Sequence, residues 1–326
     1  MAKVDVLVPC YNYARYLANC VHSVLDQSVR DVRVLVIDDA SSDESVEVAN
    51  RLAASDRRVE VISHARNHGH IATYNEGIEW ADSDYFLLLS ADDMLVPGAL
   101  ERAAAAMDSD PAIGLTYGRC LPWLEGLPQP IIDGPESGSW ALHDLLTEMC
   151  TKAVNLVPTP SAIVRTSRQK AVGGYRTSLP HAGDMEMWLR FAATSSIARI
   201  DAVQAIYRKH STAMSNPYFA EMMLDYRQCQ LAFEVFFDEY EDRLASSRAL
   251  RRVARRALAE RVFRRGIGLM RRGHLKNGVQ LIRGAIDMDR RLRYLPPIWH
   301  LLKIPGPGGR AWAKSVLKET LARSPK

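Results

Sequence analysis

Along the first hundred residues, apolar positions come in short runs separated by polar clusters. Val4–Val8 is a Val and Leu run interrupted only by Asp5, the pattern of a short buried strand. Leu17, Val21, Val24 and Leu25 then share one face of a helix over Tyr16–Leu25. Val32–Ile37 predicts a second strand. Asp38-Asp39-Ala40-Ser41-Ser42-Asp43 follows as a loop in which Ser42 or Asp43 caps the next helix. That helix carries Val46, Ala49 and Leu52 inward. Val59–Ile62, Ile71–Trp80 and Tyr85–Leu89 continue as strand, helix and strand. Such alternation predicts a parallel sheet flanked by helices, and sheets of this kind bind ligands at the carboxyl ends of their strands. The polar clusters Pro9–Asn12, Asp38–Asp43 and Ser90–Asp93 all follow strands.

From Pro111 to about Pro217 the pattern turns irregular. Pro122, Gly126, Pro128, Pro130, Gly134, Pro135 and Gly138 mark a long loop region, with helix resuming over Ala141–Lys152 and Asp184–Ala193. Beyond Tyr218 the chain reads as helical throughout. Leu250, Ala254, Ala257 and Leu258 form one stripe and Leu275, Val279, Ile282 and Ile286 another, split at Arg272-Gly273-His274 as in a helical hairpin. The expected division is residues 1–217 as the ligand-binding and catalytic domain and 218–326 as a basic helical domain. Charge sharpens it. Residues 251–326 hold 20 Lys and Arg against 4 Asp and Glu, a net of +16, while residues 1–250 hold 22 against 34, a net of −12.

The five cysteines are scattered without a CxxC pair, which points away from a disulfide framework or a zinc site and towards a reducing compartment. The longest uncharged run, Ala153–Val164, is twelve residues, short of the roughly 20 a membrane span needs. The expected location is therefore cytoplasmic, with attachment to the inner face of the cell membrane left open for the basic tail.

Three clusters carry candidate chemistry. Asp92 and Asp93, directly after an apolar strand, repel one another. A hard divalent cation such as Mg²⁺ or Mn²⁺ relieves that repulsion and completes its shell with substrate phosphates; a solvated turn before Pro97 is the plainer alternative. Asp38 and Asp39 exceed what a helix cap requires, and a strand-end carboxylate can accept a base N–H or a ribose hydroxyl. Tyr11 can pack in the core or stack on a base.

Val8-Pro9-Cys10-Tyr11-Asn12, then Ile37-Asp38-Asp39-Ala40-Ser41-Ser42-Asp43, then Arg66-Asn67-His68-Gly69 with Asn75-Glu76-Gly77, then Ser90-Ala91-Asp92-Asp93 resemble, in order and strand context, the inverting family 2 glycosyltransferases of the GT-A fold. The resemblance covers about residues 3–215. It implies a Rossmann-like, mixed but mostly parallel α/β sheet flanked by helices, with the C-terminal helices as an extension. It also implies roles. Pro9, Tyr11, Asn12 and Asn67 line the nucleotide, with Tyr11 stacked on the base. Asp39 accepts a uracil or thymine N3–H. Asp92 contacts ribose or sugar, and Asp93 binds the metal. Ser90 stands where the family most often has another Asp. In Gly183-Asp184-Met185-Glu186-Met187-Trp188-Leu189-Arg190, Asp184 matches the catalytic base, with Gly183 where a Glu is frequent. His210, in Tyr207-Arg208-Lys209-His210, matches an element that approaches the diphosphate and is expected at the metal.

The expected function is transfer of a sugar from a UDP- or dTDP-sugar donor to the hydroxyl of a saccharide or lipid-linked acceptor, in bacterial-type surface polysaccharide or glycolipid synthesis. A sugar-phosphate nucleotidyltransferase would want an early Gly-rich phosphate loop, and none stands near Pro9–Asn12. A non-catalytic nucleotide-sugar-binding protein is the remaining alternative, although Asp93 and Asp184 are both in place. Nucleic acid is not an expected partner. The basic tail is open to an anionic membrane surface or to a homodimer contact with the acidic front half.

Overall fold

A computed structural model describes residues 2–132, 136–214, 216, 218, 221–244, 246–294 and 297. The chain forms two compact units that divide between Arg251 and Arg252, whereas the sequence pattern drew its line after residue 217.

Among the described residues the first unit is built on a nine-stranded sheet in the order β3-β2-β1-β4-β8-β6-β9-β5, with β7 beside β9. One half is parallel: β1 (Val4–Cys10), β2 (Val32–Asp38), β3 (Val59–Ser63) and β4 (Tyr85–Leu88). Every residue of β1 and β4 is buried, as expected of strands covered on both faces. The helices between them are α1 (Ala14–Leu25), α2 (Ser45–Ser55) and α3 (His70–Trp80). Gly77 lets α3 lie directly on β1, since a Cβ there would meet the Leu7 side chain at 2.3 Å. Strand order reverses at β1, with β2 on one side and β4 on the other. The crevice beyond their carboxyl ends is the topological switch point where ligands bind in open α/β sheets.

The other half departs from the sequence expectation. α4 (Ala99–Ser109) leads into it, and what reads as irregular chain holds β6 (Ile113–Leu124), β8 (Ile163–Arg165), α6 (Thr166–Val172) and β9 (Ser196–Lys209). β6 and β9 run parallel, with register shifts between Tyr117 and Cys120. Gly118 stands at that irregularity because a Cβ would meet the Ala202 carbonyl at 2.8 Å. Short β5 (Met94–Leu95) pairs antiparallel with β9 and so ties the Ser90–Asp93 turn to it. The expected helix from Ala141 is instead a strand, β7 (Trp140–Leu142), followed by α5 (Leu145–Lys152). Asp144 sets the start of α5 by accepting the Thr147 N–H at 3.2 Å. α7 (Gly183–Thr194) is anchored by Glu186 and Arg190, both buried and paired at 3.0 Å, while Arg176 adds a second cation to Glu186 at 2.9 Å. α8 (Met222–Tyr240) completes this unit, with Asp225 accepting from the His181 ring at 2.9 Å.

The division between units falls inside α9 (Ser247–Arg271), which with α10 (Leu275–Met288) forms the expected hairpin. Gly273, at φ +87°, supplies the left-handed residue between them. A Cβ on Gly278 would meet the Gly266 carbonyl at 2.8 Å, so the helices cross closely there. That crossing turns α10. Gly278, Leu281, Ala285 and Met288 are buried, whereas Leu275 and Val279 of the expected stripe are exposed. Among the described residues no helix is long and apolar enough to cross a membrane. The apolar segment 295–302 lies, apart from Pro297, outside the described residues.

Candidate functional site

The loops after β1 and β2 leave the sheet side by side, joined by the Asp39 N–H to the Cys10 carbonyl at 2.9 Å. Pro9 is buried at the end of β1 and Tyr11 is 49% exposed on the loop. Asn12 takes a left-handed conformation, φ 58°, which Asn tolerates better than most residues. Its side-chain oxygen accepts the Ser42 N–H at 2.8 Å, and its own N–H donates to Ser41 Oγ at 2.8 Å, so it fastens the two loops together. Asp43 is not the N-cap of α2, which is Glu44, nor is Ser42. The Asp43 carboxylate is shared instead. Oδ1 accepts the Ser45 N–H at 3.0 Å and Oδ2 the Ala14 N–H at 3.1 Å, bridging the starts of both helices.

Asp39 is buried and well supplied with donors. His64 Nδ1 and the His68 N–H reach Oδ1 at 2.8 Å each, and the Gly69 N–H reaches Oδ2 at 2.8 Å. Burial pushes its pKa up, but these bonds outweigh burial and leave it below the ordinary carboxylate value. Asn67 lies in the same turn, donating to the Asp39 carbonyl at 3.1 Å and accepting the Gly69 N–H at 3.0 Å. The segment Asn75-Glu76-Gly77 is likewise structural. Asn75 clamps both backbone groups of Tyr175, Glu76 pairs with His64 at 2.9 Å, and Gly77 admits Leu7.

Beyond β4, Ser90–Asp93 forms a turn closed by the Asp93 N–H to the Ser90 carbonyl at 2.9 Å. β9 holds it from behind. The Arg208 N–H donates to Asp93 Oδ1 at 3.0 Å and Arg208 Nε to the Asp92 carbonyl at 2.9 Å. The Arg208 guanidinium lies 4.0 Å from the Trp123 ring and 4.6 Å from that of Tyr16, a favourable seat for a buried cation. His210 is buried among Tyr13 and Tyr16, with Nε2 3.0 Å from Asp92 Oδ2 and Nδ1 2.9 Å from Thr212 Oγ1. It therefore grips Asp92 rather than standing on the surface. Asp92 Oδ1 is buried without a partner. Burial, then the adjacent Asp92 charge, pushes the Asp93 carboxyl well above the usual carboxylate range, with Arg208 pulling the other way. Two crowded carboxylates, one with an orphaned oxygen, fit a hard divalent cation. Among the described residues, the His, Cys, Asp or Glu group whose ligand atoms converge within 4.8 Å is Asp39, His64 and His68. A cation at Asp93 would therefore take part of its shell from substrate.

Asp92 and Asp93 line a cavity of about 670 Å³ whose wall also includes Asp184, Tyr13, Tyr74 and Tyr175. Asp184, at the N-terminus of α7, is half-buried. Its Oδ2 accepts from Asn155 Nδ2 at 2.9 Å and Thr159 Oγ1 at 3.0 Å, and its Oδ1 from the Met185 N–H at 2.7 Å. Burial raises its pKa above 3.8 despite those donors. The structure thus brings Asp92, Asp93 and Asp184 to one cavity and sets Asp39 with Asn67 at the neighbouring strand end. Sequence reasoning missed Asn155, Thr159 and His64, and placed Arg208 only as a neighbour of His210. The pairing partners lie 25 to 116 residues away in sequence, and no local pattern marks them.

This is a GT-A type of α/β fold: a parallel half-sheet with carboxylates at its strand ends, facing a helix-borne carboxylate across one cavity. Residues 5–131 match the family model of glycosyl transferase family 2. An uncharacterized glycosyltransferase of Haemophilus influenzae is 34% identical over 102 residues, which are 31% of this chain and 41% of that protein. The chondroitin synthase of Pasteurella multocida is 33% identical over 114 residues, 35% of this chain and 12% of that one. The matched stretch thus spans about two-fifths or less of these relatives. Among solved structures, S. aureus TarS 1–349 in complex with UDP-GlcNAc superposes with a TM-score of 0.55 at 17% identity, covering 86% of this chain and 90% of that one. The mannosyltransferase PcManGT from Pyrobaculum calidifontis, in complex with GDP-Man and Mn²⁺, gives 0.57 at 15% identity, covering 98% and 81%. At such identities the likeness is one of fold.

Proposed function

We propose that this protein is a glycosyltransferase that moves a sugar from a UDP- or dTDP-sugar to an acceptor hydroxyl with inversion at the anomeric carbon. The observation that carries this reading is the single cavity shared by Asp92, Asp93 and Asp184. Inverting transfer is one in-line displacement, which needs a base on the acceptor side and charge stabilisation on the departing diphosphate. Asp184 is the base. Asp92 and Asp93 would hold Mg²⁺ or Mn²⁺, which when bound supplies positive charge to the diphosphate. His210 and Arg208 hold that pair in place from behind, which puts His210 beside the metal site through Asp92. Exposed Tyr11 offers a stacking face for the base, and Pro9, Asn12 and Asn67 fix the loops around it. The chondroitin synthase relative supports a place in polysaccharide synthesis. The Mn²⁺ complex of PcManGT supports the cation. Purified protein with Mn²⁺ is expected to release nucleotide from a UDP- or dTDP-sugar in a screen across UDP-, dTDP- and GDP-sugars. No release from any donor, with or without acceptor saccharides, would refute the reading.

The basic helices of the second unit suit an anionic membrane surface on which a lipid-linked acceptor is presented. The support is charge: the stretch 251–326, which takes in the second unit, carries a net +16, with each Lys or Arg near anionic lipid contributing about 1 kcal/mol. Full-length protein is expected to sediment with phosphatidylglycerol-containing vesicles at low salt and to be released at high salt. Indifference to those vesicles at low salt would make the tail a structural or dimer-forming element instead.

A further inference from the structure

His64 sits at the end of β3 with its ring between two carboxylates, Nδ1 2.8 Å from Asp39 Oδ1 and Nε2 2.9 Å from Glu76 Oε2. The ring stacks on His68, centroids 4.5 Å apart at 28°. A neutral imidazole has one N–H, so bonds to carboxylates from both nitrogens call for the protonated ring. Burial depresses the His64 pKa, but Asp39 and Glu76 outweigh burial and raise it. Asp39 stays ionised and acceptor-only.

The acceptor capacity of Asp39 is nearly used up. A carboxylate offers roughly four lone-pair sites. On Oδ1 both are taken, by His64 and the His68 N–H; on Oδ2 one is taken, by the Gly69 N–H. One site remains, on Oδ2. Uracil and thymine present one ring N–H on the edge opposite the sugar. Guanine presents two donors side by side, N1–H and the exocyclic amine, which pair best with both oxygens of a carboxylate. Cytosine and adenine present no ring N–H there.

We propose that His64 is a positioning residue for base selection: by occupying Asp39 Oδ1 it leaves the carboxylate able to accept one base N–H, which favours a uracil- or thymine-type nucleotide and turns guanine away. This rests on the reading of Asp39 as the acceptor for the donor's base. The GT-A fold does not itself decide the point, since its solved examples hold both UDP-GlcNAc and GDP-Man.

The test is calorimetry of UDP and GDP with the full-length protein in Mg²⁺, read as the ratio of the two affinities. The unaltered protein is expected to prefer UDP by about tenfold or more, the worth of one unmet hydrogen bond to a charged group. His64→Ala opens Oδ1, and the preference should shrink about tenfold. His64→Asn, whose amide nitrogen lies where Nδ1 was, should restore it. His64→Gln, which places its amide near Nε2 and leaves Oδ1 open, should not. A merely structural role for His64 would weaken both nucleotides together and leave the ratio alone. If His64→Ala does not fold, the contrast between Asn and Gln decides the matter. Asp39→Ala separates the two layers. If it leaves UDP affinity unchanged, the base-site reading fails and His64 falls with it. If it weakens UDP while His64→Ala and His64→Gln keep the full preference, the His64 proposal alone is overturned. A protein that prefers GDP overturns it outright.

Discussion

Asp184→Asn is expected to slow sugar transfer by roughly 10²–10⁴, the usual contribution of a general base, while nucleotide affinity stays close to that of the unaltered protein. The Asp184 carboxylate is held by three donors, Asn155, Thr159 and the Met185 N–H, so its direction is set before any acceptor arrives. Asn keeps the shape and loses the ability to take a proton. It also places one N–H against a donor, either Met185 or the Asn155–Thr159 pair. A modest fall in melting temperature is therefore expected, to be measured alongside the rate. The pH dependence has a definite sign. Burial raises the Asp184 pKa above 3.8, and a base is inactive when protonated. The rate should accordingly fall with decreasing pH through a pKa raised from that of an ordinary aspartate, and the residual rate of Asp184→Asn should lack that limb. NMR of the product should show the anomeric configuration inverted; a retained configuration would sink the assignment of Asp184, since a single displacement inverts.

Where hydrophobic runs are continuous, the fold was legible from the sequence. β1 and β2 are dominated by Val, Leu and Ile, because parallel strands under helices are buried on both faces. The three strand-end clusters, and with them Asp39, Asp92 and Asp93, were visible for the same reason. β6 was not. Pro122 reads as the start of a long loop region, yet it sits in the part of β6 that projects beyond β8, and Gly118 is where β9 approaches too closely for a side chain. β9 was hidden because its polar members, Gln204 and Arg208, are buried by partners far along the chain. Gln204 donates to the Ala99 carbonyl and Arg208 to that of Asp92. Burial of that kind is set by tertiary pairing, which periodicity does not register. On α10 half of the stripe of large apolar residues was misplaced: Leu275 and Val279 are exposed, while Ile282 packs at the close crossing of Gly266 and Gly278, where Gly278, Leu281 and Ala285 are buried. His210 was taken in sequence as a residue that reaches the metal. The structure gives it a more definite partner, Asp92 Oδ2, and burial that a lone polar His in a loop does not advertise.

Asp93→Ala is expected to cost function without costing the fold. Asp93 is 2% exposed, and its carboxyl is pushed well above the usual range by burial and by the adjacent Asp92. Taking it away relieves a like-charge contact in a low-dielectric site. It leaves the Arg208 N–H without its acceptor, a cost of about 1–3 kcal/mol that works against the relief. The ion-free variant should therefore melt close to or above the unaltered protein, not far below it. Turnover should behave otherwise. With Asp93 absent, Asp92 remains with one oxygen held by His210 and the other without a partner, and a single carboxylate is a weak anchor for Mg²⁺ or Mn²⁺. Loss of charge stabilisation on a departing diphosphate is worth roughly 10²–10³ or more in rate. Calorimetric titration with Mn²⁺ in the presence of UDP should show binding in the unaltered protein and none in Asp93→Ala over the same concentration range, and nucleotide release should drop in step. His210→Ala tests the support for the pair separately: it frees Asp92 Oδ2 without removing a carboxylate, so Mn²⁺ binding should weaken but persist. Full turnover in Asp93→Ala, or in the unaltered protein with excess EDTA, would show that these two carboxylates hold the turn after β4 and have no part in the chemistry.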